Sequence, residues 1–126
     1  MKLTWITIVT TKFEESKEFY RDFLGMEPGA AFSPNEFMDI AFFKDQNGMQ
    51  VELIWSKKKT EASDSDHIYI GTFFDDYSKQ YEEAKKRGII KSEPAPQGPT
   101  NMCFVVNFCS STIWLFVRKR KNLIQI

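Results

Sequence analysis

Histidine occurs once, at His67, and cysteine twice, at Cys103 and Cys109, in the 126-residue chain. That is too little of either to build a His/Cys zinc cluster. An excess of one charge is missing too: 17 Lys plus Arg balance 17 Asp plus Glu. With no overall field to gather phosphate backbones or anionic lipid, nucleic acid is not an expected partner. No apolar run approaches the roughly 18 to 20 residues of a spanning helix, so no membrane partner is expected either. No glycine cluster has phosphate-loop spacing. No signal-peptide pattern follows Met1, so the expected setting is cytoplasmic with reduced thiols. Cys103 and Cys109 read as strand packing rather than nucleophiles. The longest basic run, Arg118 to Lys121, reads as a solvated strand end.

What is present suits an ordered interior. Hydrophobic residues make up 42% of the chain, aromatics 15% and charged residues 27%, enough apolar side chain for a core and enough charge for a solvated surface. The length fits one domain, or two half-domains, over residues 1–126.

Leu3 to Thr10 is a β-branched and aromatic run that predicts a strand. From Glu14 to Leu24, Phe19, Tyr20, Phe23 and Leu24 cluster at helical spacing, acids lead, and Gly25 sits where a left-handed cap belongs. Two breaks follow, Pro28-Gly29 and Ser33-Pro34-Asn35. A β-rich stretch, Phe37 to Phe43, then reaches a turn at Asp45 to Gly48 and a strand from Met49 to Trp55.

Residues 56–66 are polar and aperiodic, a predicted linker between a first module (1–55) and a second (67–118). There the order restarts: Ile68, Ile70 and Phe73 mark a strand, Asp75 or Asp76 can cap a helix bearing Tyr77, Tyr81 and Ala84, and Gly88 stops it. After an irregular stretch, Glu93 to Pro99, come Met102 to Phe108, a turn at Cys109 to Ser111, and Thr112 to Val117. Shifting the chain by 62 residues superimposes the copies, Trp5 on His67, Ser16 on Ser78 and Glu52 on Trp114. A structural duplication is the reading.

FEESKEFYRDFLGMEP (Phe13 to Pro28), DQNGMQVEL (Asp45 to Leu53) and DHIYIGTFFDD (Asp66 to Asp76) resemble the first helix, the Glu-bearing hairpin and the second-module opening of the vicinal oxygen chelate superfamily, which includes glyoxalases, bleomycin resistance proteins and extradiol dioxygenases. The resemblance runs almost end to end. It implies an α+β fold of two tandem βαβββ modules, whose curved, mostly antiparallel sheets form a cup with the helices outside. It also implies a homodimer, and metal ligands on the first and last strands of each module. Here those positions are Trp5, Glu52, His67 and Trp114, of which only Glu52 and His67 offer a lone pair, since an indole N–H only donates. The expectation is no cofactor or, failing that, one divalent metal (Zn, Ni, Mn or Fe) held weakly by Glu52 and His67.

Strand alternation puts Gln50, Glu52 and Ile54 on one face, as it does Trp5 with Thr7, His67 with Tyr69, and Thr112, Trp114 and Phe116 together. Ile6, Ile8, Val51, Leu53, Ile68, Ile70, Ile113 and Leu115 fall on the helix side. The first face predicts a ligand surface of Trp5, Thr7, Tyr69, Trp114 and Phe116 around Glu52 and His67, suited to a small aromatic or cationic molecule. Two other readings stand beside it. One is an enzyme of glyoxalase, epimerase or dioxygenase type, with Glu52 as general base and His67 as its proton partner. The other is a non-catalytic structural or regulatory module, in which Trp5 and Trp114 fill the cup and a Glu52 to His67 hydrogen bond is structural.

Overall fold

The computed structural model describes residues 1–58 and 68–108, and the backbone of 111–118. The protein is α+β. Two compact units, Met1–Asp64 and Ser65–Ile126, carry the same layout of strand, helix and three strands. The first contains β1 (Trp5–Val9), α1 (Phe13–Glu18), β2 (Glu27–Asn35), β3 (Met38–Lys44) and β4 (Gln50–Ser56). The second contains β5 (Ile70–Phe73), α2 (Tyr77–Arg87), β6 (Ile90–Gln97), β7 (Asn101–Phe108) and β8 (Ser111–Arg118). Most of the predicted linker, residues 59–66, and His67 lie outside the described residues.

Each unit holds a four-stranded sheet, in order β1-β4-β3-β2 and β5-β8-β7-β6. The first strand pairs in parallel with the last, and the remaining pairs are antiparallel. A parallel neighbour is reached only by a crossover, and each helix supplies it on one face.

In the first unit the apolar side of the alternation faces that helix. Val51 and Leu53 are buried, Ala41 and Phe43 pair with them from β3, and Phe19, Tyr20 and Phe23 cover them. Phe19 stacks on Phe23 with ring centroids 5.2 Å apart, and Tyr20 stacks on Phe43 at 6.3 Å. The strand-to-helix corner is held by two buried hydroxyls: Thr10 and Ser16 share a 2.8 Å hydrogen bond, while the Lys12 N–H donates to Thr10 Oγ1 at 3.0 Å.

Three expectations need correction. The helix predicted from Glu14 to Leu24 is α-helical only to Glu18 and continues as a π-helical turn, Phe19–Phe23, closed by the Leu24 N–H on the Phe19 carbonyl at 3.0 Å. The wider turn lets three neighbouring rings face the sheet together. The stretch holding Pro28 and Pro34 is not a break but β2, and the Glu93 to Pro99 stretch largely belongs to β6. Both are the outermost strands of their sheets and both carry bulges against their neighbours. A proline costs no ladder hydrogen bond when its missing N–H faces outward or falls at a bulge.

In the second unit Asp76 caps α2 by accepting the Lys79 N–H at 3.1 Å, and Gly88, at φ 66°, ends it with the Ile89 N–H returning to the Ala84 carbonyl at 3.2 Å. Ala84, Met102, Phe104 and Val106 form the buried centre. Tyr77 and Tyr81 meet Phe104 edge-on, at 5.2 and 5.5 Å. The Tyr81 hydroxyl donates to Glu93 Oε2 at 2.6 Å, whereas the buried Tyr77 hydroxyl has no hydrogen-bond partner among the described residues. The Cys103 thiol is buried and donates to the Phe104 carbonyl at 3.4 Å. Cys109 lies outside the described residues.

Leu53 is fully buried, so Leu53→Ala is expected to cost about 2 to 5 kcal/mol in chemical denaturation. Burial, with Cys103 and Tyr81 adding to it, pushes the Tyr77 phenol up to about 12. The folded chain therefore keeps a proton that the unfolded chain loses near pH 10, and this contribution to stability falls away as pH rises from about 10 to about 12. Tyr77→Phe is expected to hold stability at pH 7 and to make the alkaline loss shallower, as read by denaturant unfolding at both pH values. A loss above about 1 kcal/mol at pH 7 would show that the hydroxyl has a partner.

Candidate functional site

Covering one face of a sheet with a helix leaves the other face of that module open. On the first unit's open face, three rows of cross-strand partners can be read from the ladders. The central row is Thr7, Glu52 and Phe42, on β1, β4 and β3. On one side lies Trp5, Gln50 and Lys44, with Glu27 opposite Lys44 on β2; on the other lies Val9, Ile54 and Ile40, with Phe32 beyond. Trp5, Val9 and Phe32 remain 54%, 43% and 49% exposed, far more than core residues of their size.

The parallel register sets Thr7 directly beside Glu52. The Thr7 hydroxyl donates to Glu52 Oε1 at 2.7 Å, a length typical of a charge-assisted bond. Glu52 is half-buried, and among the described residues no cation pairs with it. The predicted residues Trp5, Thr7 and Glu52 thus share one face, and two of them touch.

In the second unit, Trp114 sits at the β8 register position between Val105 and Gly71, and Phe116 at the position between Cys103 and Phe73. These positions alternate with those opposite the buried Phe104 and Val106. Tyr69 precedes β5, with the Lys91 ammonium 5.9 Å from its ring centroid. Lys91 lies at the β6 bulge, the kind of irregularity that re-aims a side chain. The ladder partner of Glu52 is Thr7, but that of Trp114 is Gly71. The first strands are therefore offset by two residues from the superposition that aligns the last strands, and Gly71 stands without a side chain at the register position that Thr7 holds in the first unit.

Val9 follows Trp5 and Thr7 on the same strand face, but strand alternation within single segments did not reveal Phe32, Ile40 or Phe42 as members. Their membership follows from cross-strand register, and the signal was the Asp45 to Gly48 turn, which fixes how β3 pairs with β4. Asp45 Oδ1 accepts the Asn47 and Met49 N–H groups, each at 2.9 Å.

Of the four positions that the resemblance assigns to metal ligands, Trp5 and Trp114 carry indoles without a lone pair. Glu52 Oε1 already accepts from Thr7. Glu52 and His67 are fewer donors than the three protein ligands a catalytic zinc site usually has, so the donor set does not fit a resident catalytic metal. Among the described residues no three of His, Cys, Asp and Glu gather as a metal-binding group.

No helix among the described residues is long and apolar enough to cross a membrane. No curated protein matches the chain. Solved structures share its fold. A mutant of the genomically encoded fosfomycin resistance protein FosX from Listeria monocytogenes, complexed with Mn(II) and 1S,2S-dihydroxypropylphosphonic acid, is 14% identical with a TM-score of 0.72, over 90% of each chain. A glyoxalase family protein from Bacillus cereus is 11% identical with a TM-score of 0.80, over 95% of each. A glyoxalase I mutant from Zea mays is 18% identical with a TM-score of 0.80, over 94% of this chain and 45% of that one. The family profile of the glyoxalase/bleomycin resistance protein/dioxygenase superfamily matches residues 2–110, and the chain belongs to that superfamily.

Proposed function

We propose that this protein binds a small aromatic or cationic molecule on the open face of its sheets, with Glu52 as the polar anchor and without a resident metal. The observation that carries the reading is the Thr7-bonded Glu52 carboxylate, flanked by the exposed Trp5 ring and an apolar row, on the sheet face opposite the helix of its own unit. Large rings around one unneutralised carboxylate suit a planar or positively charged organic ligand. The repeat assigns His67, Tyr69, Trp114 and Phe116 to the corresponding face of the second module, and they belong to the same reading. A cytoplasmic homodimer completes it.

The competing reading is a metal-dependent lyase, epimerase or dioxygenase that uses Glu52 as general base and His67 as its partner. It requires ligands that Trp5 and Trp114 cannot supply. A structural or regulatory module with no ligand is the remaining alternative.

A screen of aromatic and cationic compounds, followed by quenching of tryptophan fluorescence, separates these readings. The expected result is saturable quenching by at least one compound, weakened about tenfold or more in Glu52→Gln, a loss of the size seen when a hydrogen-bonded charge pair is broken. Absence of quenching across the screen, or quenching indifferent to Glu52→Gln, would contradict the proposal.

A further inference from the structure

The direction of the Thr7 hydrogen bond restricts what the face can accept. A threonine hydroxyl has one proton and two lone pairs, and here the proton goes to Glu52 Oε1. What the pair still offers is acceptors alone: the other carboxylate oxygen and the unused lone pairs of Oε1 and Thr7 Oγ1. Phe42, opposite Glu52 on β3, adds a ring and no donor. Lys44 is one row away, across from Glu27, and is not an ion-pair partner of Glu52 among the described residues.

We infer that the Thr7–Glu52 pair makes this face selective for a protonated amine carried on an aromatic or apolar body, with Thr7 as the positioning residue. The inference rests on the binding reading above and deepens it to a ligand class. An ammonium N–H brings both the charge that the carboxylate lacks and the donors that the acceptor cluster needs, and such charge-assisted bonds are about twice as strong as neutral ones. A quaternary ammonium brings the charge without the donors. An anion meets the like charge of the carboxylate and, at the Thr7–Glu52 pair itself, acceptors alone. Thr7 holds one carboxylate oxygen along the β1–β4 ladder, leaving the other turned to the ligand. Without that bond the Glu52 side chain loses orientation and the ligand must order it on binding, at a cost in rotamer entropy.

Isothermal titration calorimetry on the full chain tests this with three probes that share a phenylethyl body: 2-phenylethylamine, its N,N,N-trimethyl derivative and 3-phenylpropionate. The variants are Thr7→Val, Thr7→Ser and Glu52→Gln, each checked for an unchanged melting transition. The amine is expected to bind at least about tenfold tighter than the trimethyl derivative, and the carboxylate not to bind. Thr7→Val should weaken amine binding about three- to tenfold while leaving the trimethyl derivative unaffected, and Thr7→Ser should restore it. That rescue separates positioning from a general structural role. Equal affinity for the amine and its trimethyl derivative, or unchanged amine binding in Thr7→Val, would overturn the inference while leaving the binding reading intact, provided Glu52→Gln still weakens binding about tenfold or more. Failure of every probe to bind, or indifference to Glu52→Gln, would overturn both.

Discussion

The parallel pairing of β1 with β4, repeated by β5 with β8, is the constraint on which the rest of this structure depends. Parallel strands cannot be joined by a hairpin, so the chain must cross over one face of the sheet, and the crossing segment is the helix that buries Val51 and Leu53. The same requirement leaves the opposite face of the module uncovered. Core and site are two sides of one decision. The register of the parallel pair then sets Thr7 beside Glu52, and a hydrogen bond between two neighbouring strands gives the open face its chemical character.

Much of this was legible from residue order, because strand and helix periods differ and the chain repeats its order of elements. The β1 and β4 alternation separated Thr7 and Glu52 from Ile8 and Leu53 correctly, and Gly25 and Gly88 marked both helix ends, each at positive φ. What eluded the sequence was set by neighbours in space. Pro28, Pro34, Pro94 and Pro96 disguise two strands that tolerate proline because they lie at sheet edges. The π-helical turn answers a need of the sheet, three rings seated together, which helical spacing alone does not express. Phe32 and Phe42 join the site through pairings between strands, which a period of two within one strand cannot report.

This chain carries only part of the donor set that the family resemblance assigns to the fold, Glu52 and His67. Solved structures at 11 to 18% identity share the architecture, and a shared fold fixes positions rather than chemistry. At the first-strand position that the resemblance assigns to a metal ligand this chain holds Trp5, more than half exposed, which supplies a π face in place of a lone pair. Glu52 keeps its carboxylate, but its nearest polar neighbour is a hydroxyl that donates to it. Such a pair orients the carboxylate and leaves its remaining lone pairs for an incoming donor.

The central claim, that this chain uses Glu52 as an organic-cation anchor in place of a metal ligand, is tested most directly by metal stoichiometry. Protein purified without chelator, then incubated with Zn, Ni, Mn or Fe(II) and desalted, would be assayed by plasma mass spectrometry. The account predicts metal well below one equivalent per chain under every condition, with no difference in Glu52→Ala. Near-stoichiometric metal that is lost in Glu52→Ala and His67→Ala would contradict it and return the protein to metal-dependent chemistry.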